Sequence, residues 1–287
     1  MTNALFENGR NNYLTGALNW TSDTVSGALL DLTQSTASCK QISGATNATP
    51  IVITATSHGF SNNDIVYISG VAGNLAANGY WLVASATTNT FAITDMSGNN
   101  VVGSGSYTSS TGRAVNMGPS ISNNWSELSG CLVGSKTNLS GESAAQGIAN
   151  ASTLTFTSVS GNPCQALALF KDTGTASTSK LIALISGDFI VTVAQNASSS
   201  STTIYVDPLK YGIANGTVLT FSNGASATLS SGASAGARSL SVSSTAASIS
   251  AGNVALAPQT NSGLPVTPNG NNIVVTWDTG SNKIFKL

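Results

Sequence analysis

Only a few side chains in this sequence could carry out chemistry. His58 is the single histidine. A nucleophilic triad would need it to serve as base beside a serine and an acid. It lies in "SHGF", a tight turn ahead of a β-type run, and that placement favours a turn role over catalysis. Cys39, Cys131 and Cys164 form no CxxC and no close pair. Together with one histidine they fall short of a structural zinc set. They read as buried thiols of a protein made in a reducing cytoplasm, although sequence separation leaves a Cys39–Cys131 or similar bridge open. Asp64, Asp95, Asp172, Asp188, Asp207 and Asp278 mostly flank turns, where a carboxylate binds a nearby backbone amide. A glycosidase would need two of them to face each other across a sugar. "GSGS" and "SGASAGA" lack the lysine and helix of a phosphate loop. Trp20, Trp81, Trp125 and Trp277 could form a sugar-stacking platform, but core packing is the favoured role. The sequence thus nominates no catalytic residue, no metal ligand and no cofactor-binding residue, and the expectation is a protein that is not an enzyme.

Composition sets the next bounds. Of 287 residues only 7% are charged and 41% are hydrophobic. Ser, Thr, Asn, Gly and Ala make up the difference, so the surface is expected to be hydroxyl- and amide-rich. A formal net charge of −1 does not suit nucleic acid, which requires clustered Lys and Arg. No apolar run approaches the length of a membrane span. "MTNALFENGRNNYL" has no basic segment followed by an apolar one, so no secretory signal is expected.

The elements that would position these residues are mainly strands. Residues 2–18 are the one helix candidate, with Leu5, Phe6, Tyr13, Leu14 and Leu18 near one face and Thr2 or Asn3 as cap. Beyond Trp20 come β-type runs at 24–32, 152–159, 164–172, 180–186 and 272–278, separated by Gly, Asn and Ser. Residues 41–113 read as a self-contained β-barrel or sandwich in which Ile65 and Tyr67 face opposite to Val66 and Ile68. Residues 188–261 contain a loose repeat. A shift of thirty-six places lays Ile204 on Leu240, Val206 on Val242, Ile213 on Ile249, Gly216 on Gly252 and Val218 on Val254.

Removing both blocks joins 1–40, 114–187 and 262–287. "LIALISG" then meets "SGLPVTPNGNNIVVTWD", and an interrupted hairpin closes. Loop tips tolerate such insertions. The expected fold is mainly β: a discontinuous antiparallel β-sandwich or barrel core with one N-terminal helix and two inserted small β-domains. Leu29, Phe156, Leu167, Leu169, Ile182, Leu184, Val274 and Trp277 are its expected interior.

"NALFENGRNNYLTGALNWTSDTVSGALLDL", "LTFTSVSGNPCQALALFKDTGTASTSKLIALI" and "GLPVTPNGNNIVVTWDTGSNKIFKL" resemble a family of tailed-bacteriophage structural proteins. The 41–113 block is similar to a small β-module of phage virion proteins. In pattern it also resembles the first catalytic-cysteine half-domain of ubiquitin-activating enzymes, with no such activity implied. The 188–261 block resembles the glycine- and alanine-rich β-repeats of phage structural proteins. The resemblance implies a virion protein assembled in the host bacterial cytoplasm. Its expected role is that of a capsid decoration or cement protein, with a neck, tail or fibre-base component as the rival. Its expected partners are the major capsid protein or neck and tail proteins, and further copies of itself as a homo-oligomer. Nucleic acid and membrane are not among them. A receptor- or glycan-binding adhesin is the alternative class, and a cell-wall hydrolase a third.

Overall fold

The computed structural model describes residues 4–260, 262–278 and 283–287. Among the described residues the chain is mainly β, with several antiparallel sheets, a sandwich-type core and one α-helix. It divides into two compact units. One gathers Lys40–Asn116 with Asp188–Ser262; the other holds the chain up to Cys39, Met117–Gly187 and Gly263–Leu287.

The second of these, a three-segment unit, is built on a five-stranded sheet. Its order is Ala4–Leu5, Lys180–Ser186, Ala166–Lys171, Val25–Leu30 and Leu132–Asn138, each pair antiparallel. Val25, Leu29, Leu167, Leu169 and Ile182 join Leu154, Phe156 and Phe285 in one core. The opposite face is covered as well, for Phe170 stacks on Trp125 at 4.5 Å. With both faces buried, Val25–Leu30 has no exposed residue, which is why "VSGALL" is a continuous run rather than an alternation.

Two sequence expectations fail here for identifiable reasons. Leu29, Phe156, Leu167, Leu169, Ile182 and Leu184 are buried, but Val274 is 57% exposed. Leu154 pairs with Val275 and Phe156 with Ile273, which leaves Val274 beside Thr155. Ile273 and Val275 therefore turn inward and Val274 outward, since neighbours in a strand face opposite ways. Trp277 packs against the core only in part, with its indole N–H donating to the Ser152 carbonyl at 2.8 Å.

The helix is also shorter than 2–18, running Glu7–Leu14 with Phe6 at its N-cap; Thr2 and Asn3 lie outside the described residues. Leu5 instead pairs with Ala183 in the sheet. Leu18 reaches the core after a turn at Gly16, whose φ is +72°, and Leu14 is 87% exposed. Gly9 crosses the sheet closely: a Cβ there would lie 2.9 Å from the Leu181 carbonyl oxygen.

The first block, with the chain immediately on either side of it, forms a seven-stranded sheet. Its order is Cys39–Gln41, Arg113–Gly118, Ile65–Ser69, Gly79–Ala84, Thr90–Thr94, Val52–Thr54 and Gly44–Ala45. Ile51, Ile53, Val66, Ile68, Trp81, Phe91 and Ile93 fill its core. Ile42 donates its N–H to the Gly112 carbonyl at 3.1 Å, so the block begins and ends at one place. Tyr67 does face away from Val66 and Ile68, yet it is buried too, stacked on Tyr80 at 4.7 Å.

The second block has its own core, from Phe189 through Ile204, Phe221 and Leu240 to Ala257. Its ends pair as antiparallel strands, Asp188–Thr192 with Val254–Pro258. Backbone bonds recur with both residues moved thirty-six places. Asp207 donates to Thr192 as Ser243 donates to Thr228, both at 2.9 Å. Bonds between the halves are reciprocal: Ala197 donates to Ile249 at 2.8 Å and Ala233 to Ile213 at 2.9 Å. Ile204 pairs directly with Leu240, its own equivalent. Reciprocal pairing of this kind is the signature of a twofold relation. The common path covers 197–220 and 233–256. Val206 and Val242 are both buried, while Val218 is exposed and Val254 half-buried.

Candidate functional site

The structure puts most of the reactive side chains to work inside the fold. His58 is buried between Phe60 and Phe91. Its Nδ1 accepts the Phe60 N–H at 2.9 Å, which leaves Nε2–H to donate to the Thr90 carbonyl at 3.2 Å. Burial pushes its pKa down and the nearby Lys40 charge adds to this, outweighing the Thr90 bond. A neutral ring with both nitrogens engaged pins the turn and has no lone pair left to act as a base.

The carboxylates divide by what they bind. Asp95 accepts the Ser97 and Asn99 N–H groups at 2.8 and 2.9 Å, and Asp172 accepts that of Gly174 at 2.9 Å. Asp172 also binds Lys136 and Ser26, contacts that hold its carboxyl below the ordinary range against the opposing effect of burial. Asp64 accepts from Ser61 N and Asn116 Nδ2, both at 2.8 Å. Asp188 departs from the turn pattern. It opens a strand and takes the Tyr67 hydroxyl at 3.1 Å; burial raises its pKa and that bond only partly offsets the rise. Asp207 and Asp278 are exposed. Among the described residues no three His, Cys, Asp or Glu side chains gather as a metal site.

The tryptophans are spread over separate places. Trp20, Trp81 and Trp125 are buried and Trp277 half-buried. The indole N–H groups of Trp20 and Trp81 reach the Asn150 and Ala77 carbonyls at 2.9 and 2.8 Å. Flat exposed rings for a sugar are not what these four residues supply.

One polar cluster went unread in the sequence. Asp31 is 2% exposed. Its carboxylate accepts from Thr33 N and Oγ1 at 2.9 and 2.6 Å, and from Gln34 and Asn162 side-chain amides, both at 2.8 Å. Burial pushes its pKa up, but these donors outweigh burial and keep it low. The signal was available: Asp-x-Thr is an aspartate turn. Beside it lies a cavity of about 290 Å³, lined by Asp31, Gln34, Gly130, Cys131, Gly161 and Asn162 among others. A second, of about 200 Å³, has Asp188, Asn78 and Thr220 with Leu75, Val218 and Leu256 on its walls. The three cysteines are free thiols.

No protein-family model matches the chain, and no curated protein matches it either.

Proposed function

We propose that the protein is a non-enzymatic structural component of a bacteriophage virion, acting as a capsid decoration or cement protein. In this reading the three-segment unit is the platform, and 41–113 and 188–261 are modules grafted onto its loops. The observation that carries it is the closure of each block at its own ends, through Ile42–Gly112 and through the Asp188–Pro258 strand pair. A folded insert with adjacent ends adds little loop-closure cost, so a platform can acquire surface modules without rebuilding its core. The low charge supports the same role, because 7% charged residues favour broad, weak contacts whose strength comes from many copies. His58, Asp95 and Asp172 are engaged in holding turns.

Quantitative mass spectrometry of purified virions tests this. On the order of hundreds of copies per particle is the expected result. A count near that of one tail or neck ring would move the protein there. Absence from the particle removes the virion reading, and specific binding of the whole chain on a glycan array would replace it with an adhesin.

A further inference from the structure

The thiols do not share one environment. Cys131 immediately precedes Leu132, which pairs with Leu30, and Cys39 ends the segment that follows that strand. One dipeptide holds both. Asp31 N donates to the Cys131 carbonyl at 2.8 Å, and Cys39 Sγ donates to the Leu32 carbonyl at 3.4 Å. Thr36 binds the same pair, its hydroxyl accepting Cys39 N–H at 3.1 Å and also bonding to the Cys131 thiol. The Cys39 side chain lies within hydrogen-bonding reach of the Cys131 thiol. Both are shielded from bulk solvent, yet Cys131 lines the cavity of about 290 Å³ beside Asp31, which has room for a small aliphatic disulfide. Cys164 bonds elsewhere, its Sγ donating to the Asn162 carbonyl at 3.7 Å.

We propose that Cys39 and Cys131 form an oxidation site, a dithiol that a small-molecule disulfide converts into an intrachain Cys39–Cys131 bond. The Cys131 thiolate attacks one sulfur of the reagent, forming a mixed disulfide and expelling one reagent thiolate. The Cys39 thiolate then attacks Cys131 Sγ, forming the protein disulfide and expelling the second. The two protons of the protein thiols pass to the two departing thiolates. Overall the dithiol loses two electrons and the reagent gains them. Cys131 rather than Cys39 lines the cavity, and the neighbouring Cys39 and Thr36 side chains lower its pKa despite burial, which favours Cys131 as first attacker. Cys164 is pushed up to about 11 by burial and by Asp31, and stays a thiol. The bond would tie Cys39, the last residue of its segment before the chain passes to the other compact unit, to the head of the Leu132–Asn138 strand. The occasion for oxidation, release from a reducing cytoplasm, rests on the virion reading; the chemistry does not.

The test treats the folded full-length chain with bis(2-hydroxyethyl) disulfide, quenches in acid, and then counts thiols and maps peptides after unfolding. The free thiols should fall from three to one, with the mass reduced by two hydrogens and the Cys39 and Cys131 peptides joined. The thermal midpoint should rise by roughly 10 °C. Cys39→Ser should stop at a mercaptoethanol adduct on Cys131, and Cys164→Ser should cross-link as the parent does. Three surviving thiols, a bridge through Cys164, or cross-links only between chains would overturn the proposal. The parent chain alone decides this should Cys39→Ser fail to fold. Oxidation of the purified chain combined with its absence from virions would leave this site standing and remove the virion role.

Discussion

Replacing Tyr67 with phenylalanine removes one hydroxyl and leaves the ring stacked on Tyr80 at 4.7 Å, so little packing is lost. What is lost is the donor at 3.1 Å from Asp188. A hydrogen bond to a charged, buried group contributes about 1.5–3 kcal/mol, and one to a neutral group about 0.5–1.5 kcal/mol. Burial raises the Asp188 pKa above 3.8 and the Tyr67 bond pulls it partly back. A carboxyl with a raised folded pKa binds protons on folding. Its contribution is complete below 3.8 and is lost as pH rises through the folded value. The unit containing both residues should therefore become less stable as pH climbs out of the acid range. Tyr67→Phe should cost the larger figure at neutral pH and the smaller in acid, a midpoint drop of roughly 4–10 °C against roughly 1–5 °C. Asp188→Asn keeps an acceptor for Tyr67 without the buried charge. It should flatten the pH profile, match or exceed the parent at neutral pH, and reduce the cost of Tyr67→Phe to about 1 kcal/mol. Scanning calorimetry between about pH 3 and 8 reads all four proteins. A Tyr67→Phe cost that ignores pH, or a steeper profile in Asp188→Asn, refutes the reasoning.

Gly9→Ala would ordinarily stabilise a helix by about 1 kcal/mol, but its Cβ would meet strand carbonyls at 2.9 and 3.0 Å. A net loss of about 1–3 kcal/mol is expected in urea unfolding, and a gain would mean the helix has room to move. Val206→Ala and Val242→Ala, each near 2 kcal/mol, should agree within about 0.5 kcal/mol; a several-fold disparity would break the twofold relation. Deleting 41–113 or 188–261 behind a short Gly/Ser bridge should leave a cooperatively unfolding three-segment unit by circular dichroism, whereas a molten product would make the blocks integral to its core.

Legibility from sequence tracked how local the deciding interactions were. The strands Ala166–Lys171 and Lys180–Ser186 stood out because burial on both faces demands unbroken apolar runs. The helix was overextended because Leu5 and Leu18 sit at helical spacing from its apolar face. They meet the core from a strand and from beyond a glycine turn, which periodicity cannot distinguish. Val274 failed by one residue of register, set by pairing with a strand more than a hundred positions away. His58 was read well, since its two partners, Phe60 and Thr90, belong to the turn and to a nearby strand. Asp31 was missed even though its nearest donors are its own neighbours. A Cys39–Cys131 bridge was open from sequence but could not be singled out among the three thiols, because only the sheet brings these two to one dipeptide.

The 188–261 repeat shows why so symmetric a backbone left so faint a sequence trace. Its turns keep their residues where the backbone demands it: Gly216, Gly236 and Gly252 have φ of +78°, +84° and +86°, and only the fourth equivalent, Ser200, tolerates +68°. The core positions were free to diverge in pairs. Phe189 pairs with Ala257, and at the symmetric place Phe221 N donates to the Ala225 carbonyl at 2.8 Å. Each contact sets one large residue against one small one, and both large ones fall in the first half. Close packing constrains the summed volume at a contact rather than each residue. Exchanging Phe and Ala between halves would therefore preserve the core, whereas Ala225→Phe alone would place two rings where the space fits one.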